Sequence, residues 1–286
     1  MKNEYVVSLA FAAMLAASSF PAYAFSSHDA ENLAAAAAVG NQKPLGELKH
    51  FAQAGNTDAQ YWLGVYYTLK QKHELAMGWY KKAAGQGNVK AAYSLGQAYF
   101  NGAGVPIDYT RSAQWYRQAA EHGDADAQYN LAIQYELGWG VTQNPTKALL
   151  WFRKAAEQGN AKAAYNLGLA YYLGKGMQKN LAQAVNWWRR AAEQGDPRAQ
   201  YNLGVLYFKG RGVKEDVATT LDWWKRAANS GNADAEYNLG MLYYKGIGVE
   251  KNLAEAMKYW KRASAQEVRI ANDDVNTHPY SEPERE

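Results

Sequence analysis

The stretch Asn160-Ala-Lys-Ala-Ala-Tyr-Asn-Leu-Gly-Leu-Ala-Tyr-Tyr-Leu-Gly-Lys-Gly-Met-Gln-Lys-Asn-Leu-Ala-Gln-Ala-Val-Asn-Trp-Trp-Arg-Arg-Ala-Ala-Glu-Gln-Gly195 has counterparts beginning at Asn88, Asp124, Asp196 and Asn232. They differ from it mostly at outward-facing positions. The period is 36 residues, and self-similarity at a fixed period of this length marks a helical solenoid. Each unit reads as a helix, a glycine turn, a second helix and a glycine stop. The expected fold is therefore all-α, a helical-repeat solenoid whose antiparallel helix pairs, about six of them, wind into a right-handed superhelix.

The first helix of each unit opens at an Asn or Asp able to cap free N–H groups, as at Asp124, Asn160, Asp196 and Asn232. Pro197 stands just inside one such start, where a missing N–H costs nothing. Tyrosine follows at the sixth position (Tyr93, Tyr129, Tyr165, Tyr201, Tyr237), leucine at the eighth and tyrosine again at the twelfth, a spacing that clusters them on one side of a helix. Gly96, Gly168, Gly204 and Gly240 lie mid-helix, where glycine costs about 1 kcal/mol relative to alanine. Close approach of the partner helix is the expected compensation, and Ala132 in the third unit shows that the site asks for a small side chain. Pairs such as Gly174-Lys-Gly176 between the helices suit a left-handed stop and a sharp turn, and no further glycine or lysine makes them a phosphate-binding loop.

The second helix carries adjacent rings (Trp115-Tyr116, Trp151-Phe152, Trp187-Trp188, Trp223-Trp224, Tyr259-Trp260) followed by alanine pairs, so large rings facing small residues form a continuous core. Trp62 and Trp139 lie off this ladder and are candidates for exposed contacts. Basic pairs come next (Lys81-Lys82, Arg153-Lys154, Arg189-Arg190, Lys225-Arg226, Lys261-Arg262), placed to interact with the helix dipole and with Glu157 and Glu193.

Taken together, A-x-Y-N-L-G-x-x-Y-x-x-G-x-G-V and A-x-x-W-W-R-R-A-A-E-Q-G closely resemble the Sel1-like repeat family, a relative of the tetratricopeptide repeats. The pattern assigns residues 56–266 to repeats: a short unit over 56–87, then 88–123, 124–159, 160–195, 196–231 and 232–266. The short unit loses its glycine turn to Leu69-Lys-Gln-Lys-His73. Residues 25–55, with an alanine-rich helix around Asn32 to Val39 and a second-helix-like stretch from Leu45 to Gly55, read as a degenerate capping unit. The last helix is expected to end a little past Gln266, and the polar, acidic tail of residues 267–286 to be disordered from Asn272.

Residues 1–24 read as an export signal: Lys2, an apolar run from Tyr5 to Ala17, and Pro21-Ala22-Tyr23-Ala24 as an A-x-A cleavage site. The run falls short of the roughly 20 residues that span a bilayer, so no integral membrane segment is expected after cleavage. Cysteine is absent, which removes disulfides, thiolate chemistry, Cys-ligated zinc and a lipid-modified cysteine. The expected location is periplasmic or secreted, and the expected state a monomer. Lys2 and Glu4 in the signal cancel, and the tail from Glu267 carries −4 of the chain's net +4, leaving +8 on residues 25–266. This regularly spaced charge favours acidic partners weakly and does not suggest nucleic acid.

Five histidines show no metal-ligand spacing, and neither G-x-S-x-G nor S-x-x-K occurs. We therefore expect no enzyme, no metal and no cofactor. The resemblance implies a non-catalytic scaffold binding an envelope or host protein, in signalling, envelope regulation or host interaction.

In related helical repeats the seventh position of the first helix faces a concave groove; here it holds Asn130, Asn166, Asn202 and Asn238, with Trp62 and Ser94 in the earlier units. An amide can both donate to and accept from an extended peptide, or bond locally within the repeats; both readings stand. The alternative partner class is a glycan or peptidoglycan, stacked on Trp62, Trp139 and Tyr66; a third and less favoured reading, which the resemblance implies through cysteine-rich members of the family, is a β-lactamase-like hydrolase.

Overall fold

The computed structural model describes residues 25–273, and side chains only as far as residue 265. The proposed export signal, and the tail from residue 274, lie outside the described residues. Within them the chain forms fourteen α-helices and no strand, joined in tandem as a helical-repeat solenoid. Contacts divide it into two units, meeting between Trp151 and Phe152.

The first unit begins with α1 (Ser27–Ala38) and α2 (Gln42–Gln53). A capping box of Ser26 and Asp29 starts α1, several residues before the alanine run that announced it. Ala30, Ala34, Ala37, Leu45 and Leu48 bury against Leu63 of α3 (Thr57–Leu69). Then come α4 (His73–Gly85), α5 (Val89–Asn101), α6 (Tyr109–Glu121), α7 (Ala125–Leu137) and the start of α8 (Pro145–Glu157). Leu63, Leu95 and Leu131, one per first helix, are fully buried. Asn56, Asn88 and Asp124 accept the N–H three residues on, as the sequence leads one to expect. Asp108 and Asn144 cap the second helices in the same way. The short turn before α4 replaces glycine with Gln71 at φ 57°, and α4 starts at Lys72 without a side-chain cap.

The second unit runs from the end of α8 through α9 (Ala161–Leu173), α10 (Leu181–Glu193), α11 (Pro197–Lys209), α12 (Val217–Asn229), α13 (Ala233–Lys245) and α14 (Leu253–Asp273). Asn272 and Asp273, expected in the tail, close α14. Leu167, Leu203 and Leu239 repeat the buried leucine. First helices end on left-handed glycines, as at Gly174 (φ 74°). The backbone N–H of Asn180, Asp216 and Asn252 then bonds to the twelfth-position tyrosine carbonyl at 2.9–3.0 Å. That bond fixes how the second helix folds back on the first.

The mid-helix glycines are explained by rings. A methyl on Gly168 would overlap the Trp188 ring, and one on Gly204 the Trp224 ring. The indole N–H of each ring donates to a first-helix carbonyl, Trp188 to Tyr165 at 3.0 Å and Trp224 to Tyr201 at 3.1 Å. Helix approach is therefore set by an aromatic side chain seated on bare backbone.

Candidate functional site

The seventh position of the first helix is half-buried at Asn130, Asn166, Asn202 and Asn238. In the first unit Asn130 lowers the pKa values of Tyr93 and Tyr116, which burial raises, and the Tyr93 hydroxyl accepts from the Gln97 amide at 2.9 Å. Ser94 has the same effect on Tyr61 and Tyr80, while its hydroxyl donates to the Lys90 carbonyl at 2.9 Å and the Tyr80 hydroxyl pairs with Thr68 at 3.0 Å. The rings themselves pack in pairs, Tyr61 with Tyr80 at 5.9 Å and Tyr93 with Tyr116 at 5.8 Å. Burial pushes the Tyr61 hydroxyl up to about 12, helped by Tyr80 and Glu31, and burial raises Tyr116 as well. In the second unit burial raises the Tyr165 pKa, and Arg198 and, to a smaller extent, Asn202 oppose the shift.

This local influence accounts for part of what Asn130 and Asn202 do: each moderates the ionisation of a tyrosine in the repeat before. It does not exhaust them, because an amide has two N–H donors and a carbonyl. On the same faces the third position carries Asp58, Lys90 and Asp126 in the first unit and Lys162, Arg198 and Asp234 in the second. Arg198 is ion-paired with Asp196 at 2.8 Å and lies 4.1 Å over the Tyr165 ring. About one turn beyond the asparagines, Leu169, Val205 and Met241 add half-buried apolar surface. Amide, charge and aliphatic groups at helical spacing are suited to an extended polypeptide.

Trp62 and Trp139 are less open than their sequence positions suggest. Trp62 packs against the cluster formed by α1, α2 and α3, edge-on to Tyr61 at 5.2 Å, with its indole nitrogen buried. Trp139 stacks on Tyr109 at 5.5 Å and leans on Phe100 at 5.8 Å. Tyr66 is 9% exposed. The repeat spacing says where a residue lies in its own unit; what covers it comes from the neighbouring one.

The basic pairs have two jobs that dipole arguments do not reveal. The first member reaches the next repeat's twelfth-position tyrosine, Arg153 to Tyr171 at 3.1 Å and Arg189 to Tyr207 at 2.7 Å, as does Arg117, at the same place but followed by Gln118, to the Tyr135 hydroxyl at 3.0 Å. The second member lies over the first ring of its own helix, Lys82 on Trp79 at 4.3 Å, Arg190 on Trp187 at 4.6 Å, Arg226 on Trp223 at 4.8 Å. Among the described residues no His, Asp or Glu group is arranged to hold a metal, and no helix is long and apolar enough to cross a membrane.

Sequence reading also missed a bridge between repeats at the fifth position of the first helix. Gln60, Gln128 and Gln200 each donate to a carbonyl near the end of the preceding helix, those of Ala52, Ala120 and Ala192, at 3.0–3.1 Å. Glutamine recurring at that position was the available signal.

The Sel1 repeat family model matches six consecutive segments, residues 57–88, 89–124, 125–160, 161–196, 197–232 and 233–268. The chain belongs to the Sel1 repeat family. A protective antigen present in uropathogenic Escherichia coli, with an SLR fold, is similar at 36% identity and a TM-score of 0.75, over 78% of this chain and 48% of the antigen. The Sel1 chain thus spans about half the antigen's length. A Sel1 repeat protein from Oxalobacter formigenes is 34% identical, with a TM-score of 0.66 over 77% of this chain and 99% of that one. No curated protein matches the chain. Sel1 repeat proteins generally serve as scaffolds for protein interaction and are typically non-catalytic.

Proposed function

We propose that this chain is an exported, non-catalytic scaffold that binds an extended segment of a partner protein along the first-helix faces carrying Asn130, Asn166, Asn202 and Asn238. The observation that carries this reading is the half-buried amide at each of these positions. Asn130 and Asn202 influence the tyrosines of the preceding repeat, and each amide carries two N–H donors and a carbonyl for a peptide backbone. The setting is the bacterial envelope or the space outside the cell. A protective antigen is a protein that an immune response reaches, so the likeness to one supports such a setting. Signalling, envelope regulation and host contact are all served by this chemistry.

The test is capture of a partner from envelope fractions and host secretions by the chain from Phe25 onward, beside a variant with all four asparagines changed to alanine. A Tyr93→Phe variant, which removes the hydroxyl that Asn130 influences but keeps the amide, serves as the control. Capture by the first and third, lost in a four-alanine variant that still melts cooperatively, is the expected result. Equal capture by all three places the binding surface elsewhere.

A further inference from the structure

A shallow cavity of about 390 Å³ lies between α5 and α6, lined by Tyr99, Arg111, Gln114, Trp115 and Gln118. No residue of the asparagine faces lines it. Its volume falls in the range of small-ligand sites, roughly 300–1,000 Å³.

The cavity exists where the repeat breaks its own rule. Three residues after the first ring of the second helix, Lys82, Arg190 and Arg226 carry a cation over the indole. Beside Trp115 that position is Gln118, and Gln118 is turned away: its amide donates to the Ala84 carbonyl at 2.9 Å. The cause is one repeat position earlier. Ala92 stands where Gln60, Gln128 and Gln200 bridge to the preceding helix, so Gln118 supplies the missing bridge. Trp115 keeps a half-buried ring with no cation upon it.

The groups around that ring narrow the ligand. Arg111 is exposed, lies 5.6 Å over Tyr99 and pairs with Asp108 at 3.3 Å. Its charge is partly answered, which disfavours a phosphate or another strong anion. Gln114 is an exposed planar amide beside it. Three polar side chains against two rings are too many for an aliphatic ligand. A flat ring bordered by planar amide and guanidinium donors matches the apolar face and the flanking hydroxyls of a sugar.

We propose that this cavity is a carbohydrate subsite that stacks a pyranose ring on Trp115, with Arg111 and Gln114 bonding its hydroxyls. The site is separate from the asparagine faces, so it stands or falls independently of the partner-binding reading.

The experiment titrates the full chain with a panel of soluble neutral and N-acetylated oligosaccharides, including peptidoglycan glycan fragments, read by tryptophan fluorescence and by ligand-observed NMR. Trp115→Ala tests the platform. Gln118→Lys restores the covering cation of the first repeat, and Trp187→Phe controls for general effects on fluorescence. Saturable binding at millimolar concentration is expected for at least one oligosaccharide, weakened about tenfold or more by Trp115→Ala, reduced by Gln118→Lys and unchanged by Trp187→Phe. No saturable binding across the panel, or binding indifferent to both Trp115 and Gln118, would overturn the proposal. So would saturable binding of a proline-rich peptide at Trp115 in place of every sugar, which would make the cavity a peptide site.

Discussion

Glu236 is a fully buried charged residue, and its surroundings show what one substitution does to a repeat. It takes the fifth position, where Gln200 donates to Ala192, but a carboxylate cannot donate. Arg262 supplies both needs, meeting Glu236 at 2.7 Å and the Ala228 carbonyl at 2.9 Å. Burial raises the Glu236 pKa, and Arg262 opposes the shift. Removing the arginine alone (Arg262→Ala) leaves a fully buried carboxylate and should cost about 2–3 kcal/mol at pH 7, the low end for a broken buried pair because Arg262 is partly exposed. Adding Glu236→Gln should recover most of that loss, since glutamine can make the Gln200-type bridge. The sign with pH follows from the raised pKa: the folded state holds the proton more tightly, so Arg262→Ala should gain stability as pH falls toward the ordinary glutamate range. Chemical denaturation of both variants at several pH values checks all three outcomes.

At the scale of the element, a first helix is placed by what sits on its glycine. Gly168→Ala adds helix propensity worth about 1 kcal/mol but drives a methyl into the Trp188 ring, and overpacking of this kind costs about 1–3 kcal/mol. We expect net destabilisation in a thermal melt, partly relieved when Trp188→Phe is added. The third unit already uses that combination in its sequence, with Ala132 and Phe152. By contrast Asn160→Ala removes a cap, whose side chain accepts from Ala163 at 2.9 Å, and loss of that cap should cost about 1 kcal/mol. Helix positions, first-helix caps and left-handed glycine stops were legible because they depend on residues within one unit. The start of α1 at Ser27 was not, since its signal is the capping box of Ser26 and Asp29 and not the alanine run. Nor were the basic pairs, because the tyrosine that receives Arg189 lies 18 residues on, in the next repeat.

For the whole molecule, the same division between local and neighbouring information governs function. The asparagine positions could be read from the repeat register, while the covering of Trp62 and Trp139 required packing between neighbouring elements. A collective consequence is alkaline sensitivity. Tyr61, Tyr80, Tyr93, Tyr116, Tyr165 and Tyr259 all have raised pKa values, burial being the leading cause in each. Below about pH 10 folded and unfolded tyrosines are both protonated and contribute no pH dependence. Above it the unfolded chain loses protons first, so melting temperature should fall steadily through pH 10–12, and ultraviolet titration should show these tyrosines ionising late or together with unfolding. The central claim, that a partner lies along the first-helix faces, is tested most directly by photo-crosslinking. A photoreactive residue is placed at exposed Lys162, beside Asn166, and in a second protein at exposed Asp222 on the second helix of its repeat. The account predicts that the captured partner crosslinks from position 162 and not from 222; crosslinking from 222 with none from 162 would contradict it.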